Sequence, residues 1–228
     1  MSTKSYTIQG MGNVGTTKVQ KRDWVRAWCN WFFGIEEDEH PSYSNQSNDN
    51  KQGRTPYGFP QDAEGKVWFL APAHVTTILT RSIIRGSWES ILFPVYFMGA
   101  SQDEFPGLSL DALRRLVKED VDGFETSSCV ASLDRNIDLR ESIERICITD
   151  SFFDVLLPDE NILQLDINST KTICDGYWLF LDLGAILPGD HVLHIRGEAP
   201  NYFSDTTYAL VNRSDISINS YSKNIQKK

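Results

Sequence analysis

Ile173-Cys174-Asp175-Gly176-Tyr177-Trp178-Leu179-Phe180-Leu181-Asp182-Leu183, then Leu187-Pro188-Gly189-Asp190, then His191-Val192-Leu193-His194-Ile195-Arg196-Gly197, sets a pattern that most of the chain repeats. The first and last runs read as strands, and the Pro-Gly-Asp between them reads as a hairpin turn. In the last run the side chains alternate. His191, Leu193 and Ile195 share one face, and Val192, His194 and Arg196 share the other. The two histidines therefore point to opposite sides, which disfavours a metal pair within this strand.

The same texture extends in both directions. Strand signals fall at 128–133, 143–149, 152–157 and 206–211, with Pro158-Asp159-Glu160-Asn161 as a break. Val67-Trp68-Phe69-Leu70-Ala71 is a short apolar run between Gly65 and Pro72, the signature of a buried strand. A Thr/Ile/Val-rich segment covers 74–84. Ile91-Leu92-Phe93-Pro94-Val95-Tyr96-Phe97 follows, its proline marking an edge or a bulge. Two helices interrupt the strands. Over 18–34, Trp24, Trp28 and Trp31/Phe32 recur on one apolar face and Gly34 is a stop. Over 109–121, Ser109 is the cap, and Leu110, Leu113, Leu116, Val117 and Val121 form the stripe. Many short strands with two helices predict a mainly β fold, an antiparallel β-sandwich of jelly-roll or immunoglobulin-like kind with two decorating helices. The domain spans 18–213. An arm over 1–17, a long polar loop over 35–65 and a tail over 214–228 are its predicted flexible parts.

The glycines of Gly10-Met11-Gly12-Asn13-Val14-Gly15 spell a dinucleotide fingerprint. Such a fingerprint needs a buried strand before it and alternating strands and helices after it. The chain before Gly10 is polar, and the segment after it has helical spacing, so no nucleotide cofactor is expected. Asp120-x-Asp122-Gly123 begins like a calcium loop but lacks the other acidic ligands, and reads as a helix stop. The four cysteines form no C-x-x-C, and no H-E-x-x-H is present, so no metal site is expected. If oxidised, four thiols allow three pairings; free, mostly buried thiols are the expectation.

A net charge of −9 argues against nucleic acid and anionic membranes. No apolar run reaches the roughly 20 residues of a membrane span, and no apolar leader is seen. The expected compartment is the cytoplasm. Candidate chemistry is sparse. His40 follows Glu36-Glu37-Asp38-Glu39, a run that favours the imidazolium form. His191 follows Asp190, a carboxylate able to orient it. Asp175 precedes Gly176, where a bulge or turn role competes with catalysis. Arg81 and Arg85 offer guanidinium groups for a carboxylate or phosphate. Two functions fit. One is a binding or interaction module without catalysis, its six tryptophans and long loop suiting a small molecule, a sugar, a protein or a second copy in a homo-oligomer. The other is a small-molecule enzyme in which His40 or His191 is the base, Asp175 or Asp190 its partner and Arg85 the electrostatic stabiliser.

An ordered set of motifs also resembles a family of uncharacterised single-domain bacterial and archaeal proteins. The set runs from Trp24…Trp28…Trp31 and His40-Pro41 through Val67-Trp68-Phe69-Leu70-Ala71, Arg85 and Ile91-Leu92-Phe93-Pro94-Val95. It continues through Asp122-Gly123, Phe153…Leu157-Pro158-Asp159-Glu160-Asn161, Asp175-Gly176-Tyr177-Trp178 and Leu187-Pro188-Gly189-Asp190-His191 to Tyr208-Ala209-Leu210-Val211. The resemblance implies no activity. The chain departs from it at Pro72, where the family has glycine. It departs again at Gly86-Ser87-Trp88-Glu89-Ser90, where the family's Pro-x-Gly-Lys turn supplies a lysine, and it shows none of the export signal common in the family.

Overall fold

A computed structural model of the chain describes residues 18–40, 42, 67–72, 79–85, 90–186, 189–199 and 202–212. Among them are two α-helices, α1 (Lys18–Phe33) and α2 (Leu110–Asp122). The strands are β1 (Val67–Phe69), β2 (Leu79–Arg85), β3 (Ser90–Ser101), β4 (Val130–Leu133), β5 (Ile137–Asp138), β6 (Ile143–Leu156), β7 (Ser169–Asp182), β8 (His191–Ala199) and β9 (Tyr202–Asn212). The expected arm and tail, and the loop beyond Ser42, lie outside the described residues, as does His74.

The strands form two sheets, ordered β1-β3-β7-β6 and β2-β9-β8-β4-β5. Interior pairings are antiparallel, as expected of the sandwich; the edge strands β1 and β2 run parallel to β3 and β9. The sheets face each other across one apolar layer. Ile91, Phe93, Leu179 and Leu181 from the four-stranded sheet meet Leu133, Leu193, Ile195, Tyr208 and Leu210 from the five-stranded one. Two layers of strands shield each other because each presents an alternating apolar face.

A third layer explains why the four-stranded sheet reads as unbroken apolar runs. Helix α1 lies on its other side and packs Val25, Trp28, Cys29 and Phe32 against Phe69, Leu92, Cys174, Trp178 and Phe180. A strand buried on both faces has no polar face to alternate with. The tryptophans of α1 are therefore core: Trp28 is fully buried, and its indole donates to the Leu70 carbonyl at 2.9 Å. The Gly34 amide closes the helix on the Asn30 carbonyl at 3.1 Å. Ser109 caps α2 as expected, its hydroxyl accepting from the Ala112 amide. Leu113 and Val117 pack on Ala100 and Ile173, covering the part of the sheet's inner face that the second sheet does not reach.

Two strand expectations change. Leu187 and Pro188 of the expected hairpin turn lie outside the described residues, but the strands on either side do not form a hairpin: β7 and β8 belong to different sheets. A short turn over Leu183–Ala185 follows β7, capped by the Asp182 carboxylate accepting from the Gly184 amide. Leu183 and Ile186 insert into the inter-sheet core and carry the chain across, while Gly189 takes φ 136°. Turn residues specify that a chain bends, not which strand it lies beside afterwards. The candidates 143–149 and 152–157 are one strand, β6, with a bulge between Ile148 and Phe153. Of the two readings of Pro94, an edge or a bulge, the bulge is the one seen: β3 is interior and shifts register between Pro94 and Tyr96. The short strand β5 has no counterpart among the expectations. It follows a tight turn in which Asp134 and Arg135 both hold positive φ, 53° and 63°, the backbone of a type I′ turn.

Candidate functional site

The densest ionic cluster among the described residues lies where α2 meets the inner face of the four-stranded sheet. Strand register makes it. Tyr96 pairs with Tyr177, Met98 with Asp175, and Arg145 with Tyr177, so neighbouring strands present these side chains to one side. Asp175 is 1% exposed. Arg145 Nε approaches its two oxygens at 3.0 and 3.2 Å and Nη2 reaches Oδ2 at 2.6 Å, while the Gly176 amide donates to Oδ1 at 2.8 Å. The other guanidinium nitrogen donates to Asp122 of α2 at 2.6 Å, and Lys118 pairs with Asp122 as well. Those two cations, Lys118 foremost, hold the Asp122 carboxyl below the usual carboxylate range.

Aromatic rings wall this cluster. Tyr96 stacks on Phe124 with centroids 4.4 Å apart and meets Tyr202 edge-on at 5.0 Å; Arg145 lies 5.8 Å over the Tyr177 ring. The Tyr96 hydroxyl donates to Asp120. Burial, reinforced by that carboxylate, pushes the Tyr96 hydroxyl well above the ordinary phenol range. Burial also pushes up Tyr202, and brings the nearby Cys129 thiol to about 11. Every shift favours the charge state already present at neutral pH. These ion pairs and ring contacts tie α2 to the sheet.

Three of the four expected site residues stand in separate hydrogen-bond sets. His40 turns away from the exposed acidic run and is fully buried. Its ring meets Phe32 edge-on at 4.5 Å, Nε2 lies 3.0 Å from the Phe32 carbonyl, and Nδ1 accepts from the Ser42 amide. That pattern uses the neutral Nε2–H tautomer and closes the end of α1. Asp175 is committed to Arg145. His191 binds Asp134, not Asp190, with Nδ1 at 2.6 Å from Oδ2; the other Asp134 oxygen accepts from the Val192 amide at 2.8 Å. The left-handed turn before β5 brings Asp134 there, and sequence distance hid it. Arg85 closes β2 in register with Asn212, and its side chain lies outside the described residues.

The outer face of the five-stranded sheet carries the second polar group. His194 Nε2 pairs with Asp205 at 2.8 Å, and Arg196 lies 5.3 Å over the Phe203 ring. Val130 and Val192 stand on the same side, 37% and 41% exposed. Alternation in β8 foretold this face; Arg145, Asp134 and Asp205 were missed because only strand pairing reveals their partners. Among the described residues, no group of three or more His, Cys, Asp or Glu stands as a metal-holding cluster. No described helix is long and apolar enough to cross a membrane.

Comparison with protein-family models, with curated proteins and with solved structures finds no match to this chain.

Proposed function

We propose that the chain is a non-catalytic recognition module that binds a protein surface through the outer face of its five-stranded sheet. The observation that carries this reading is an asymmetry of cover. The four-stranded sheet is buried on both sides, whereas neither helix packs across the outer face of the five-stranded one among the described residues. Exposed Val130 and Val192 beside the His194–Asp205 and Arg196–Phe203 pairs give that face the mixed apolar and charged chemistry of a protein contact. A sugar platform has less support, since Trp28, Trp31, Trp68 and Trp178 are buried. The module works in the cytoplasm, where four unbonded thiols are at home.

A second reading rests on the His191–Asp134 pair, whose 2.6 Å contact orients an imidazole as a general base would be oriented. One experiment separates the two. The tagged chain is isolated with its bound material from its source as wild type, as V130D/V192D and as H191A, with melting temperatures matched. Recognition through the sheet face expects the partner to be lost from V130D/V192D and kept by H191A. Retention by the double variant would refute it. Loss of cellular effect in H191A and D134N alone would favour the enzyme.

A further inference from the structure

We propose that His40 is an acid-released latch: as a neutral imidazole it pins the segment after α1 to the end of β1, and protonation releases it. This goes beyond the recognition reading and does not depend on it. The segment is tied at two ends. At the near end the Glu37 amide donates to the Glu160 carbonyl at 2.8 Å, and Glu36 bridges to Asn161. One short turn over Glu37–Glu39 follows, and the His40 amide closes it on the Glu37 carbonyl at 3.2 Å. At the far end the Ser42 hydroxyl donates to the Pro72 carbonyl at 2.6 Å, beyond β1. The His40 ring stands between the two ends, and it and Ser42 are both 0% exposed.

The partners decide which ring nitrogen carries the proton. A carbonyl oxygen only accepts, so Nε2, 3.0 Å from the Phe32 oxygen, is the donor. An amide only donates, so Nδ1, 3.3 Å from the Ser42 nitrogen, is bare. A proton on Nδ1 would set one N–H against another and take the acceptor from the buried Ser42 amide. Among the described residues, the last turn of α1, Asn30–Phe33, and the Leu70–Pro72 stretch after β1 carry no titratable side chain. On α1 the titratable side chain nearest in sequence is the Cys29 thiol, and β3 reaches this end of the helix through Phe97. Glu36, Glu37, Asp38 and Glu39 lie on the segment itself and are exposed. Once the segment lifts, its imidazole is solvated and takes a proton at the ordinary value of about 6.5. Closure is therefore fully favoured above that value, and each pH unit below it favours the lifted form by about a further tenfold. The near end is held backbone to backbone and keeps its bonds.

The test uses the full chain in two measurements. Long-range proton–nitrogen NMR spectra at about pH 7.5 should show His40 protonated on Nε2 alone. Native-state hydrogen exchange from about pH 7.5 to about pH 5, corrected for the intrinsic rate, reads the release. Protection of the Ser42 amide should fall about tenfold per pH unit below about 6.5. The Glu37 amide, and the Leu139 amide bonded to Ala131 in the other sheet, should keep theirs. H40Q retains a donor for the Phe32 carbonyl and has no proton to gain, so its Ser42 protection should not vary with pH. Because that variant could fold poorly, the wild-type measurements decide independently. An imidazolium or an Nδ1–H tautomer at about pH 7.5, flat Ser42 protection, an equal fall at Leu139, or a pH dependence that survives in H40Q would each overturn the proposal.

Discussion

Arg145 shows how much depends on single side chains here. It holds the buried Asp175 with one edge of its guanidinium and the α2 residue Asp122 with the other. A buried carboxylate without its cation is expensive, while removing both charges is often nearly neutral. R145M is therefore expected to destabilise the fold by about 2–4 kcal/mol, the guanidinium being 30% exposed and part of its effect screened. R145M/D175N should recover much of the loss; urea denaturation of both variants measures it. Asp138 gives the pH counterpart. The Arg140 guanidinium and amide hold its carboxyl down at about 2. A depressed carboxyl favours folding above its ordinary value of about 3.9 and loses that contribution as pH falls toward 2. Titration by NMR should place Asp138 near 2 in the wild type and return it toward 3.9 in R140Q. Asp175 was legible in the sequence as an isolated acid, but Arg145 was not. Thirty residues of chain separate them, and only strand register makes them neighbours.

At the scale of elements, β6 is the exposed edge of a 14-residue strand, a template for unwanted pairing. Side chains from both helices cover it. Asn30 of α1 donates to the Asp154 carbonyl at 3.1 Å and accepts from the Leu156 amide at 3.2 Å, so its carboxamide stands where a neighbouring strand's peptide group would stand. Arg114 of α2 donates to the carbonyls of Thr149 and Asp150 inside the bulge. N30L should speed hydrogen exchange at the Leu156 amide and produce concentration-dependent association, read by exchange mass spectrometry and light scattering. An N30L variant that stayed monomeric with unchanged exchange would deny Asn30 this role. Gly176 is a companion case. A Cβ there would sit 2.6 Å from the Tyr96 carbonyl and 2.7 Å from the Phe97 Cβ, because the β3 bulge presses on this point of β7. G176A should lower stability by about 2 kcal/mol or more in thermal melts. The Asp175-Gly176 pair read as a bulge feature before the structure, and the bulge is across the strand from it.

Across the whole molecule, cover is unequal. The four-stranded sheet has α1 on one side and the second sheet with α2 on the other, so opening it exposes two apolar layers at once. Among the described residues, the five-stranded sheet has one buried face. Native-state hydrogen exchange should therefore find its slowest amides in β3 and β7, and faster ones in β4 and β5. The reverse order would mean that α1 contributes little to cooperativity.

By itself the sequence determined the class of fold, both helices, the Ser109 cap and the Gly34 stop, most of the strand segments and the inward tryptophans. Those features follow from periodicity, capping and turn chemistry within a few residues of each position. Tertiary structure alone decided that the chain passes to the other sheet after β7, that α1 makes a third layer, and that His40, Asp175 and His191 face different partners. Each of those outcomes depends on which strands pair and in what register. That is set by the summed burial of many distant side chains, and no local stretch of the chain contains it.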